Sequence, residues 1–145
     1  MNPSRSGFRQ DVADRVLGLP VAAALGLTFD ELAEGRATAR LAWRAELSHV
    51  PGAFQANPIA ALADFVGVSA GVSLLPFGGM AATVDYTVKF LCEARGQQLV
   101  ARARVLRPGA TLTVAAVDTF AVAGEAETLC ATSLVTMRNV VPRPG

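Results

Sequence analysis

Apolar and polar positions change period three times along this chain. Phe8, Val12, Val16 and Leu19 recur at helical spacing with polar residues between them, and Gly18 and Pro20 stop the pattern. A helix over residues 8–19 follows, with a further helical turn over 20–25. Residues 27–33 and 37–43 read as two strands joined at Glu34-Gly35-Arg36. In the second, Ala37, Ala39, Leu41 and Trp43 alternate with Thr38, Arg40, Ala42 and Arg44. Residues 45–56 form a loop containing Pro51-Gly52. Asn57 is expected as the N-cap and Pro58 as the first residue of a long helix to about Ser73, broken by Pro76-Phe77-Gly78-Gly79. The period then becomes two. Ala82, Val84, Tyr86, Val88 and Phe90 alternate with Thr83, Asp85, Thr87 and Lys89, and Leu99, Ala101, Ala103 and Val105 repeat the pattern after a turn at 93–96. Strands over 111–122 and 125–138 follow, so four consecutive long strands are expected as an antiparallel meander. Residues 1–7 and 140–145 read as tails.

The element order α-β-β-α-β-β-β-β has a simple packing solution. One curved antiparallel sheet wraps around the long helix and buries it on several sides, in an α+β fold. The helix composition agrees. Ala60, Asp64, Gly67 and Gly71 fall on one stripe, which permits close approach of a backbone or leaves room for a ligand beside the acid.

Composition changes this picture little. The chain has 145 residues, 52% of them hydrophobic and 17% charged, enough for one domain with a substantial core and too apolar for disorder. A net charge of +1 spread along the chain argues against a nucleic-acid surface. The start of the chain is polar with Arg5 and Arg9 and has no signal-peptide pattern, so a cytoplasmic location is expected. The apolar run 58–75 is Ala/Gly/Ser-rich, carries Asp64 and lacks basic flanks, which argues against a membrane span. Cys92 and Cys130 have no metal-ligand spacing and read as two reduced, buried thiols.

The candidate chemistry lies in the long helix. Between Glu46 and Asp85 the one formally charged side chain is Asp64. A carboxylate in an apolar helix costs several kcal/mol to bury unless it is paired or does chemistry. Around it stand Gly52, Gln55-Ala56-Asn57 and Ile59-Ala60-Ala61-Leu62-Ala63-Asp64, followed by Ala81-Ala82-Thr83-Val84-Asp85-Tyr86 and Val105-Leu106-Arg107-Pro108-Gly109-Ala110. Over residues 25–137 these segments resemble the hotdog-fold acyl-CoA thioesterases, in the phenylacetic-acid-type (PaaI) branch related to 4-hydroxybenzoyl-CoA thioesterases. The pattern of that family is an Asn, a Gly, then His-Gly-Gly, with an Asp nine residues after the His. Here Gln55 stands at the His position, Ala56 and Asn57 at the two Gly positions, and Asp64 at the acid, with His49 where some members have the Asn and Thr83 where some have an active-site Ser or Thr.

The resemblance implies hydrolysis of an acyl-CoA thioester at the interface of a homodimer or homotetramer. Coenzyme A belongs to the substrate, and neither cofactor nor metal is implied. By that analogy Asp64 is general base or nucleophile, supported by Thr83, and the Ala56 amide at the helix start of the other protomer receives the oxyanion. Gln55 and His49 complete the catalytic set, and Asn57, Phe65, Val68 and Ala82 contact substrate. Two other functions fit the same fold: a non-hydrolytic acyl-CoA-binding or regulatory protein, and a hydratase or dehydratase using His49 with Asp64. A serine triad is disfavoured, because Ser48, Ser69 and Ser73 lack the strand-turn-helix context and His49 is the single histidine.

Overall fold

The computed structural model describes residues 7–143. The amphipathic pattern at the start folds as two short helices, α1 (Gln10–Leu17) and α2 (Pro20–Leu25), separated where Gly18 ends the first and Pro20 opens the second. The hairpin β1 (Thr28–Ala33) and β2 (Arg36–Ala42) turns at Glu34 and Gly35, both with positive φ (51° and 79°), as a tight two-residue turn requires. The following loop is more ordered than expected. It contains a single 3-10 turn, Ala45–Leu47, and the two-residue strand β3 (Ala53–Phe54). The long helix α3 (Ala56–Val72) leads to β4 (Met80–Phe90), the short β5 (Ala94–Arg95) that pairs with β3, and then β6 (Gln98–Arg107), β7 (Leu112–Ala123) and β8 (Ala126–Val140).

One six-stranded antiparallel sheet, ordered β1-β2-β6-β7-β8-β4, carries the fold. It curves around α3, which packs against β2, β4, β6, β7 and β8. This is the α+β hotdog arrangement the sequence predicts. The core lies between helix and sheet, built on Leu32, Leu41, Leu62, Val66, Leu99 and Met137.

Gly67 and Gly71 decide between the two roles open to the small stripe. A Cβ on Gly67 would stand 2.8 Å from Cγ2 of Val135, and one on Gly71 would overlap the Met137 side chain. The two glycines therefore serve close approach of α3 to the sheet.

Four expectations are corrected. Strand β4 does not open a four-strand meander; it crosses to the far edge and pairs with β8, leaving β6-β7-β8 as the meander. The pattern of alternation along a strand says which face is buried but not which neighbour it pairs with. The helix begins two residues before Pro58. Gln55, extended at φ −68° and ψ 157°, is the N-cap without a side-chain bond, and Asn57 is already the second helical residue. Cys92 is exposed, with its thiol donating to Leu129 O, whereas Cys130 is buried and its thiol is pushed up to about 11 by burial. The C-terminal tail starts after Val140, which still belongs to β8. Of the N-terminal tail, residues 1–6 lie outside the described residues. Among the described residues no helix is long and apolar enough to cross a membrane.

Candidate active site

Asp64 sits midway along α3, on the side of the helix turned to β4 and α1 rather than to the centre of the sheet. Its carboxylate is partly buried, and burial raises its pKa above the ordinary 3.8. The hydroxyl of Thr83 on β4 donates to Oδ1 of Asp64 at 2.7 Å, which favours the charged form and offsets part of that rise. A half-desolvated carboxylate held by one hydroxyl is a stronger base than one in water.

A bulge brings Thr83 to this position. Thr83 pairs with Met137 and Asp85 with Thr136, so Val84 is the extra residue and the alternation of β4 changes phase there. Ala81 and Thr83 before the bulge face the helix, and Val88 beyond it packs against the core. The unbroken alternation expected over 82–90 is thus split in two.

Asp64 and Thr83 open onto a cavity of about 190 Å³ between α1, α3 and β4. Its walls are mainly apolar, with Phe65, Val68 and Val72 from α3, Val16 from α1 and Ala81 from β4. Ser69, which also faces it, returns its hydroxyl to Phe65 O at 2.6 Å. Of the sequence-predicted residues, the structure gathers Asp64, Thr83, Phe65 and Val68 here. Ala82 is exposed, and its neighbour Ala81 lines the cavity instead. The spacing of Val12, Val16 and Leu19 marks a helix but does not show that Val12 and Val16 of α1, and Leu19 beyond it, wall the site.

Gln55 and Asn57 lie elsewhere, in an open depression at the start of α3 with Glu46, Ser48 and Pro58. His49 is exposed in another depression, beside Trp43 and Pro51. Neither depression includes Asp64. The start of α3 nonetheless has free donors. Gln55 N–H is bonded to Leu47 O at 2.8 Å and Pro58 has no N–H, which leaves the exposed amides of Ala56 and Asn57 without a backbone partner among the described residues. Ala56 and Asp64 are eight residues apart, about 12 Å along the helix axis. Within one chain these amides and that carboxylate are too far apart to act on one carbonyl.

Among the described residues the edge of β4 away from β8 is unpaired. Strand β4 ends the sheet, and Met80, Val84, Tyr86 and Phe90 along it are 40–55% exposed. A long apolar edge of this kind is a template for another strand.

No family model matches the chain, and no curated protein does. Solved structures do. A thioesterase family protein from Silicibacter pomeroyi superimposes with a TM-score of 0.88 at 31% identity, over 94% of this chain and 100% of that one. The S. sahachiroi protein AziG matches at 27% identity and a TM-score of 0.75, over 84% of this chain and 97% of its own. The E. coli PaaI protein from the phenylacetic acid degradation operon shares the fold, with a TM-score of 0.79 at 20% identity over 91% and 92% of the two chains.

Proposed function

The chain belongs to the thioesterase family, and we propose from the geometry of its site that it hydrolyses an acyl-CoA thioester to the free acid and CoA. The observation that carries this reading is Asp64: a partly buried carboxylate, bonded to Thr83 at 2.7 Å, at the side of an apolar cavity.

Asp64 acts as general base. It takes a proton from a water as the water oxygen adds to the thioester carbonyl carbon. The resulting oxyanion is received by the Ala56 amide, or that of Asn57, where the partial positive charge of a helix start adds to the hydrogen bond. Collapse of the tetrahedral intermediate breaks the C–S bond, and the thiolate of CoA leaves with the proton that Asp64 returns. The roughly 12 Å between Ala56 and Asp64 on one helix requires the amide to come from a second copy of the chain. The open apolar edge of β4, which carries Thr83, supports assembly through that edge into a homodimer or a pair of dimers. Gln55 and Asn57, beside the amides, contact the substrate from the partner's side, with Phe65 and Val68 facing the acyl group.

The test is thiol release from a panel of acyl-CoAs by the wild type and Asp64→Asn. A general base contributes about 10²–10⁴-fold, and that loss is expected in the variant. Undiminished release in Asp64→Asn would remove the acid from the mechanism. Acyl-CoAs that raise the melting temperature without any release would make the chain a binding protein rather than a hydrolase.

A further inference from the structure

We propose that α1 is a fixed ruler for the acyl group, limiting the substrate to an uncharged acyl chain of about six to eight carbons; this rests on the thioesterase reading above. Four observations combine. The cavity at Asp64 is small, about 190 Å³. A carbon of an alkyl chain needs roughly the 30 Å³ that a water occupies in the liquid, and an apolar cavity of about 150 Å³ holds benzene. About six carbons beyond the reacting carbonyl fill the space.

The second observation is the source of the wall. Asp64, Phe65, Val68 and Val72 run along one side of α3, and Val12 and Val16 of α1, with Leu19 just beyond its end, present a matching apolar row. Nothing in the thioester chemistry needs α1. Its apolar row walls one side of the space between α3 and β4, which stays partly open to solvent.

Third, α1 is tied down and does not behave as a loose lid. The Arg9 N–H donates to Leu32 O at 2.8 Å, and its guanidinium donates to Ser73 O at 3.1 Å and Leu75 O at 2.7 Å while bridging both oxygens of Asp11. Arg15 donates to Gly79 O at 2.9 Å. Both ends of α1 are therefore fastened to the segment that joins α3 to β4. A longer acyl group has to break these bonds to gain room.

Fourth, the chemistry of the lining selects an apolar occupant. The charged side chains facing the cavity are Asp64 and Arg15, and Arg15 is exposed, with one guanidinium nitrogen engaged by Gly79 O. An acyl chain ending in a carboxylate would place its charge among Phe65, Val68 and Val72, where it would be desolvated, and the one cation on the wall, Arg15, is exposed and already bonded to Gly79 O.

The experiment measures acyl-CoA affinity on Asp64→Asn protein, which separates binding from turnover, with acetyl-, butyryl-, hexanoyl-, octanoyl-, decanoyl- and palmitoyl-CoA. Each methylene entering the cavity is expected to tighten binding about fourfold, up to six to eight carbons, after which the gain stops. Val16→Ala and Leu19→Ala, added separately, should move that ceiling to longer chains, and Val16→Trp should move it to shorter ones. Circular dichroism and the melting temperature establish that each variant is folded, and Leu19→Ala, at an exposed position, keeps the test available if Val16→Trp fails to fold. A gain that continues through palmitoyl-CoA, a ceiling unmoved in both Val16→Ala and Leu19→Ala, or tighter binding of adipoyl- than of hexanoyl-CoA would each overturn the proposal. A ceiling that moves as expected, with no thiol release by the wild type, would uphold the ruler and sink the hydrolase. Release with a chain-length profile insensitive to α1 would do the reverse.

Discussion

Gly67→Ala is expected to damage both the fold and the site, because one turn of α3 links them. Gly67 is three residues beyond Asp64 on the face pressed to the sheet. A Cβ there would lie 2.8 and 3.0 Å from Cγ2 and Cβ of Val135 and 3.2 Å from Cγ2 of Val117, and both valines are fully buried. Valine is stiff at χ1 and cannot swing away. Overpacking of this kind costs about 1–3 kcal/mol. Against it, alanine in a helix interior gains about 1 kcal/mol over glycine. The net is a loss of about 1 kcal/mol, a fall of about 3–4 °C in melting temperature for a domain of this size. The helix also moves off the sheet by some tenths of an ångström, which lengthens the 2.7 Å bond between Thr83 and Asp64 and should lower turnover beyond the stability effect.

The background decides whether the reasoning holds. Val135→Ala removes the nearest atom that Gly67→Ala would strike, Cγ2 at 2.8 Å, and leaves the contacts to its Cβ at 3.0 Å and to Val117 Cγ2 at 3.2 Å, at its own cost of about 2 kcal/mol for lost burial and a cavity. In that background Gly67→Ala should cost about 1 kcal/mol less than in the wild type and come out near neutral, since the helical gain then meets only the two longer contacts. Urea denaturation of the four proteins at one protein concentration gives the coupling energy directly. If Gly67→Ala raises stability in the wild type, or costs the same with and without Val135, close packing at this glycine is not what fixes the height of α3.

Two further outcomes follow from the acid itself. Burial raises the Asp64 pKa in the folded protein, so the folded state holds its proton more tightly than the unfolded chain does, and stability falls as pH rises from the ordinary 3.8 through the folded value. Asp64→Asn lacks that penalty and still accepts the Thr83 hydroxyl, so it should be more stable than wild type at neutral pH, with the difference closing as pH drops below the carboxylate range; urea titrations across pH 3–7 (roughly the span over which a carboxylate charges) check it, and a variant less stable at neutral pH would contradict the burial cost. Thr83→Val removes the one hydroxyl that favours the charged carboxylate. The acid limb of kcat/KM, which reports a base that must be deprotonated, should move to higher pH, and an unmoved limb would separate Thr83 from the titrating group.

Much of the fold was legible because it is written in local period. The two early strands, the long helix and the last three strands are each marked by their own alternation or spacing, and the burial of Leu41, Ala101 and Val135 follows it. What the pattern could not carry was pairing between distant segments. Strand β4 alternates like its successors, yet it closes the far edge of the sheet, and the bulge at Val84 that turns Thr83 toward Asp64 has no glycine or proline to announce it. Asp64 itself was legible as a lone charge in an apolar helix. The side chains that surround it were less so, since Val16 and Ala81 come from elements 48 residues before it and 17 after it and are ordinary apolar residues. The helix cap was misjudged because Asn57 and Pro58 carry strong local preferences that the chain overrides by bonding Gln55 N–H to Leu47 O.

On the two-copy reading, strand β4 ties assembly to chemistry. One face of the strand carries Thr83 to Asp64, its outer edge is free, and Val84, Tyr86 and Phe90 along it are exposed. The bulge serves both: the residue it leaves unpaired with β8 is Val84, and the phase change sets Thr83 inward while the edge stays apolar. A partner strand docking there would fix the geometry of β4 and, with it, the donor that tunes Asp64. A monomer would retain the acid and the acyl cavity, yet would hold its own Ala56 amide about 12 Å from the carboxylate. Loss of the edge contact should therefore abolish turnover while leaving acyl binding largely in place, because the cavity is built from α1, α3 and β4 of a single chain.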